Sequence, residues 1–360
     1  MVEAKILVFA TNGTKSNDEA RILKLLQNFT VQVMEFERSD KFKSLLNIIQ
    51  QAVHTKPRLV VMEGTGFVGG MACLWLRLFF GIPYIFSSGD AIAPFISLNY
   101  PILAPIVNLY EQILCRFCAG FIGWTPYLVG RALTFGAPKA VTAAGWSHCT
   151  RTMEQLADSR VKIRKQLGIP EDSLVFGLLG SIAWTQRFQY CYGYELLKAF
   201  HKTNRQDISI LVVGNGSGLN YLQKLAAADL EKRIFLPGNV PVEQVLDYMA
   251  AMDVASLPQS VDRVGSFRYT TKISEYLAAK LPVVTSQIPM AYDICGDWIW
   301  KLPGAKPWED TYIKSLANLM QKITFEEIQI KQKAIPNQIS DFDLEQQVVR
   351  VTNFINDILL

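Results

Sequence analysis

The sequence predicts an α/β protein of two tandem, Rossmann-like, doubly wound parallel-sheet domains facing a central cleft. Three observations carry that expectation. Short apolar runs alternate with helical periodicity along the whole chain. The runs are apolar throughout rather than alternating, the pattern of strands buried on both faces and joined by right-handed crossovers. A polar, charged stretch, Ser147–Asp172, splits the alternation into two series.

In the first series, Lys5–Thr11 reads as a strand and Asp18–Phe29 as a helix with leucines at helical spacing. Val31–Glu37, Arg58–Glu63 and Pro83–Ser88 read as strands, with helices at Lys41–Lys56 and Phe67–Phe80 between them. A loop punctuated by Pro94, Pro101 and Pro105 follows, then a helix to Ala119 and a strand at Phe121–Thr125. Pro126 opens a helix at its first turn, where its missing N–H costs nothing, and Ala140–Ala144 closes the series. The second series has strands at Leu174–Gly180, Ile208–Gly214, Arg233–Leu236, Val254–Leu257 and Pro282–Ser286. Its helices are Gly193–His201, Leu219–Leu230, Val242–Ala251, Thr270–Lys280 and Trp308–Ile323. The expected organisation is a first Rossmann-like domain at 1–146, a linker at 147–172, a second Rossmann-like domain at 173–325 and helices at 326–360 crossing back to the first domain.

Composition narrows the function. The 360 residues are 50% hydrophobic and 19% charged, which excludes disorder. Net charge is +4, all of it in residues 1–146; the remainder is balanced. That is too weak a basic footprint for nucleic acid, and none is expected as a partner. The six cysteines are dispersed, and Cys115 and Cys118 fall in an apolar helical stretch, so buried thiols are expected rather than a redox or zinc site. The N-terminal run is too short for a signal peptide, and a cytoplasmic protein is the expectation. Leu59–Phe135 carries only six charges in 77 residues. That fits a deep sheet core with a domain interface, or a face that dips into a bilayer surface.

No metal ligands cluster, so no metal site is expected. Gly64-Thr-Gly-Phe-Val-Gly has the form of a dinucleotide loop but follows the third strand, which favours close backbone packing over a nicotinamide cofactor. The stretch Val261–Thr285 is the most informative. A polar loop with Gly265 runs into a helix beginning near Thr270, whose free N–H groups and dipole favour an anion. Lys272 adds a mobile cation, and Glu275, three residues on, shares its face; an ordinary surface ion pair has the same spacing.

Glu275-Tyr-Leu-Ala-Ala-Lys-Leu-Pro-Val-Val resembles the E-A-x-A-x-G-x-P-V-V signature of the GT-B glycosyltransferases, most closely family 4, also called group 1. Leu211-Val-Val-Gly-Asn-Gly-Ser, Phe235-Leu-Pro-Gly-Asn-Val and Asp253-Val-Ala-Ser-Leu-Pro resemble the family's earlier segments, in the same order. The match covers about 174–290; the first half resembles the family only in layout. The resemblance implies that Glu275 binds the ribose, that Thr271 and Lys272 hold the diphosphate, and that Arg268, Tyr269 and Thr270 meet the donor sugar. It places Asn239 and Val240 against the base and Gly13 where backbone approaches the donor phosphate. Asp90, next to Gly89 in the place of the family's histidine, is the candidate to orient an acceptor hydroxyl or take its proton. Arg187 is the candidate second clamp on the diphosphate.

The sequence departs from the family at Phe267, where the first motif glutamate would stand, at Gly89, and in the poorly kept basic pair around Arg187. The expected function is a retaining, metal-independent, hexosyltransferase-type enzyme without a cofactor. It would move a sugar from a nucleoside-diphosphate sugar to a sugar or lipid-linked acceptor, with peripheral contact at the inner face of a membrane left open. The alternatives are a nucleotide-sugar epimerase of the same fold and a non-catalytic sugar-nucleotide-binding subunit.

Overall fold

The structure is a computed structural model that describes residues 6–147, 151–269, 271–294, 296–337 and 340–360. The chain divides into two compact units. Unit 1 comprises Met1–Gly145, Phe267–Tyr269 and Ile339–Leu360; unit 2 comprises Trp146–Ser266 and Thr270–Gln338.

Unit 1 runs β1 (Ile6–Ala10), α1 (Asn17–Leu25), β2 (Val31–Val33), α2 (Lys41–Thr55), β3 (Leu59–Glu63), α3 (Phe67–Phe80), β4 (Tyr84–Ser88), α4 (Ile92–Ser97), α5 (Ala104–Phe117), β5 (Gly120–Gly123), α6 (Pro126–Thr134) and β6 (Ala140–Thr142). The six strands pair in parallel in the order β2-β1-β3-β4-β5-β6, so the order reverses at the carboxyl ends of β1 and β3. β1, β3 and β4 are wholly buried, which is why no residue alternation was needed to mark them. Caps set the helix ends: Asp40 accepts from the Lys43 N–H at the start of α2, and Thr125 accepts from the Leu128 N–H ahead of Pro126. Cys73, Cys115 and Cys118 are buried free thiols, and burial pushes the Cys118 thiol up to about 12, far from a reactive value.

The Pro94 segment, expected as loop, is helix α4. Pro94 stands third in it, where its missing N–H breaks no intrahelical bond.

Unit 2 runs α7 (Met153–Leu167), β7 (Leu174–Leu179), α8 (Tyr194–Phe200), β8 (Ile208–Val213), α9 (Leu219–Ala226), β9 (Ile234–Gly238), α10 (Val245–Ala250), β10 (Val254–Leu257), α11 (Thr271–Ala278), β11 (Val283–Ser286), α12 (Met290–Asp293), β12 (Ile299–Leu302), α13 (Asp310–Lys322) and α14 (Phe325–Lys333); α15 (Leu344–Leu359) closes the chain in unit 1. Its parallel sheet has the order β12-β11-β10-β7-β8-β9, reversing between β7 and β10. β12 carried no legible strand signal: it is a four-residue edge strand with two partly exposed positions.

The charged stretch after the first series folds as α7, which starts in a Thr152–Gln155 capping box and ends at Gly168 in a left-handed conformation. Its arginines are spent on one carboxylate. Arg160 and Arg164 reach the two oxygens of buried Asp253 at 2.6 and 2.7 Å, and the Val175 N–H donates to the same group at 2.7 Å. Charges of the polar stretch between the two series thus bind α7 to the start of β7 and β10.

Candidate functional site

In unit 2 the ends of β7 and β8, beside the switch point, are pressed together. Gly180 and Gly214, at the ends of β7 and β8, have φ of +152° and +144°. A Cβ on Gly214 would run into the Gly180 backbone, and one on Gly180 would fall 2.8 Å from the Lys272 Nζ. Glycine at both positions therefore lets the two turns meet and lets the Lys272 side chain lie across them. The Lys272 ammonium sits 5.3 Å from the centre of the Tyr192 ring.

α11 is held in register by Tyr276, two residues beyond Ser274 and buried. Its hydroxyl accepts from the Leu179 N–H (3.3 Å) and donates to the Ser256 carbonyl (3.1 Å), tying the helix to β7 and β10. Below this tie lies Glu195, fully buried at the start of α8. It accepts from the Tyr190 hydroxyl (3.0 Å), the Gly193 N–H (3.2 Å) and the Ser256 hydroxyl (3.3 Å). Burial pushes its carboxyl up to about 7 from 4.5, against those hydrogen bonds. The folded state thus holds a proton that the unfolded chain releases above pH 4.5, so this group's stabilisation is complete at low pH and lost as pH rises to about 7. The shift amounts to about 3 kcal/mol. Chemical denaturation between pH 5 and 8 is expected to show stability falling with pH, and Glu195→Gln to flatten that slope; an unchanged slope in the variant would assign it to another group.

Glu275 is half-buried and makes no side-chain hydrogen bond among the described residues. Burial raises its pKa and nearby Lys272 lowers it. The two carry opposite charges on the face of α11 beside Gly180, as their spacing predicts. A pocket of about 290 Å³ opens at Gly180, lined by Leu179, Gly180, Ser181, Gly214, Asn239 and Val240 among others. The structure therefore brings Asn239 and Val240, expected at the base, to the same strand ends as Lys272.

Residues 159–335, nearly all of unit 2, match the sequence model of the family described as glycosyl transferases group 1. Unit 2 carries a glycosyl transferases group 1 domain. Glycosyl transfer is the activity class that goes with this domain. No curated protein matches the chain. HepE of Anabaena, solved in complex with UDP and glucose, is 16% identical with a TM-score of 0.70, covering 98% of this chain and all of that one. Sucrose-phosphate synthase of Thermosynechococcus elongatus is 13% identical, TM-score 0.67, with 98% of each chain covered. A UDP-GlcNAc 2-epimerase of Neisseria meningitidis, solved with UDP-GlcNAc, is 14% identical, TM-score 0.57, covering 98% of this chain and all of that one. These likenesses establish the GT-B fold.

The other site residues are placed unevenly around the glycosyltransferase domain. Thr271 opens α11, and Thr270 lies outside the described residues. Arg187 is exposed in a turn closed by the Thr185–Tyr190 bridge; its guanidinium lies 5.4 Å from the Phe188 ring, and no contact among the described residues joins it to Lys272. Arg268 and Tyr269 group with unit 1. The Arg268 Nε donates to Asp90 at 2.5 Å, and Tyr269 packs edge-on to Tyr127 at 5.7 Å. Asp90, expected to serve an acceptor, is thus held by an arginine expected to serve the donor sugar. Phe267, in the place of the first motif glutamate, packs against the unit 1 core, and its carbonyl accepts from Thr125 at 2.8 Å.

In unit 1, Gly13 forms a buried turn after β1 at φ +104°, with its N–H on the Ala10 carbonyl. Gly64 and Gly66 pack against Thr11, the close backbone approach expected of that loop. A network that single-residue reading did not find lies at the ends of β3 to β6. Buried Arg21 donates to Glu63 (3.1 Å), Ser87 (3.3 Å) and the Ala143 carbonyl, and covers the Trp124 ring at 4.2 Å. The Trp124 Nε1 donates to the other Glu63 oxygen at 3.3 Å. A Cβ at Gly89 would meet the Trp124 ring at 2.8 Å, so the indole lies against the position of the family's histidine. The one signal in the sequence was Glu63, a carboxylate ending an otherwise apolar strand.

Of the histidines, His201 faces Asp229 at 3.8 Å, His54 is exposed near the end of α2, and His148 lies outside the described residues. Among the described residues no three His, Cys, Asp or Glu group as metal ligands, and no helix is long and apolar enough to cross a membrane.

Proposed function

We propose that this protein is a retaining glycosyltransferase that moves a hexosyl group from a nucleoside-diphosphate sugar to an acceptor hydroxyl without a resident metal or other cofactor. The observation that carries the reading is the Lys272 ammonium lying across Gly180, beside the pocket that Asn239 and Val240 line. As the glycosidic bond breaks, negative charge grows on the departing diphosphate. In this reading the N–H groups at the start of α11 and the Lys272 ammonium offset that charge from positions fixed before reaction, so little reorganisation is required in the transition state. Glu275, a carboxylate with its acceptor capacity unspent, suits two vicinal ribose hydroxyls. Thr270 and Thr271 belong to the same proposed anion site, and Arg187 is its proposed second cation. Gly13 is proposed to admit the donor phosphate.

A uridine nucleotide is the first donor to try, since HepE was solved with UDP. The proposed acceptor is a sugar or a lipid-linked glycan, met by a peripheral protein at the inner membrane face; the sparse charge of unit 1 supports this. Titration calorimetry with UDP tests the donor half. Glu275→Ala is expected to weaken binding at least tenfold, and an affinity equal to that of the unaltered protein would remove Glu275 from the ribose.

Phe267 and Gly89 favour a second reading, a sugar-nucleotide-binding protein without turnover, because each removes a polar group the family uses. Donor assays separate the readings. Slow release of free sugar fits a transferase, isomerised donor an epimerase, and intact donor with bound nucleotide a binding subunit.

A further inference from the structure

Unit 1 carries an apolar surface that the donor chemistry does not use, and the inference drawn from it deepens the peripheral-membrane part of the proposed function. One core joins the buried faces of α2, α3 and α5, through Ile48 and Ala52, Ala72, Cys73 and Leu76, and Leu114 and Cys115, so the three helices share one side of the sheet. The opposite face of α3 should be polar in a helix that meets water. It presents Phe67, Met71, Trp75, Leu78, Phe79 and Phe80 instead, with Phe67 and Phe79 more than 60% exposed. On α5 the stripe continues with Ile106, Leu109, Ile113 and Phe117, and Ile102 just before it is 88% exposed. The two stripes meet where the Phe67 ring packs on Tyr110 at 5.1 Å.

Charge on these helices has one sign wherever it meets solvent. α2 to α5 contain five charged side chains besides His54: Lys41, Lys43, Arg77, Arg116 and Glu111. The four cations are exposed. The single carboxylate is buried and neutralised by a bidentate ion pair with Arg131, both contacts at 2.8 Å. A surface made for another protein has a polar rim around its apolar core. A bulky apolar stripe that includes Trp75, on helices whose exposed charges are all lysine or arginine, matches the acyl–headgroup boundary of an anionic bilayer.

We propose that the α3–α5 face of unit 1 is a monotopic docking surface for anionic phospholipid membranes. The side chains of Trp75, Phe79 and Phe80 enter the acyl boundary, and Arg77, Arg116, Lys41 and Lys43 rest among the headgroups. The proposal stands apart from the donor chemistry, because vesicle binding needs neither nucleotide nor acceptor.

The test is co-sedimentation of the full chain with vesicles of phosphatidylcholine containing about a third phosphatidylglycerol, beside phosphatidylcholine alone. Partitioning to the anionic vesicles is expected to be at least tenfold stronger and to fall in 0.5 M salt (roughly a 4–5 Å screening length). The pair Trp75→Glu and Phe79→Glu is expected to abolish it while UDP binding is retained, since both residues are exposed. R77E with R116E is expected to remove the preference for anionic lipid. A protein that stays in the supernatant with both vesicles would overturn the proposal. So would a lipid-free dimer, seen by light scattering, that Trp75→Glu and Phe79→Glu dissociate, because a second copy would then be the occupant.

Discussion

Lys272→Ala is expected to lower kcat by about a hundredfold or more while leaving UDP affinity within a few-fold of its normal value. The order of magnitude is that of removing one preorganised donor from a site where charge develops. The split between turnover and affinity follows from when the contact strengthens. The bound donor already carries diphosphate charge, but the charge on the bridging oxygen grows as the sugar leaves. The geometry makes the effect large. Lys272 lies over Gly180 because no side chain stands there, and Tyr192 and the Tyr276 tie hold its helix in place. Steady-state kinetics with saturating acceptor reads the change. An unaltered kcat would take Lys272 out of the reaction, and a loss confined to KM would assign it to uniform donor binding.

Glu63→Ala is expected to destabilise unit 1 by about 3–5 kcal/mol, the range for breaking a buried pair by removing one partner. Arg21 would keep its positive charge in a fully buried position, with the Nε already lacking a partner. Burial drives the Glu63 pKa up and the Arg21 pKa down, and the ion pair between them opposes both shifts. Replacing both, Arg21→Met with Glu63→Leu, is expected to recover most of the loss, since apolar groups of similar volume carry no desolvation cost. Chemical denaturation with the slope held constant measures both variants. A single variant that costs less than 1 kcal/mol would show that water reaches Arg21. The network also backs the Trp124 indole against Gly89, so Glu63→Ala is expected to loosen the Asp90 turn.

The two sheets were legible because strands buried on both faces read as near-continuous apolar runs, and Leu59–Met62 and Ile210–Val213 are such runs. Lys272 and Glu275 were legible as a pair because helix geometry alone puts positions three apart on one face. Edge strand β12 was not, because a half-exposed four-residue strand has no distinctive composition. Helix α4 was hidden by Pro94, which reads as a breaker unless its place in the first turn is known.

Local pattern, then, determined the α/β class, the two series and the pairing of Lys272 with Glu275 on α11, since each depends on residues within a turn or two of one another. Tertiary structure decided which side chains meet. Arg268 reaches Asp90 across 178 positions, Arg21 reaches Glu63 across 42, and Arg160 and Arg164 close on Asp253 across about 90. A charge in a sequence carries no record of its partner. Pairing is settled by the desolvation that burial imposes on both groups, and burial exists only once the chain has folded.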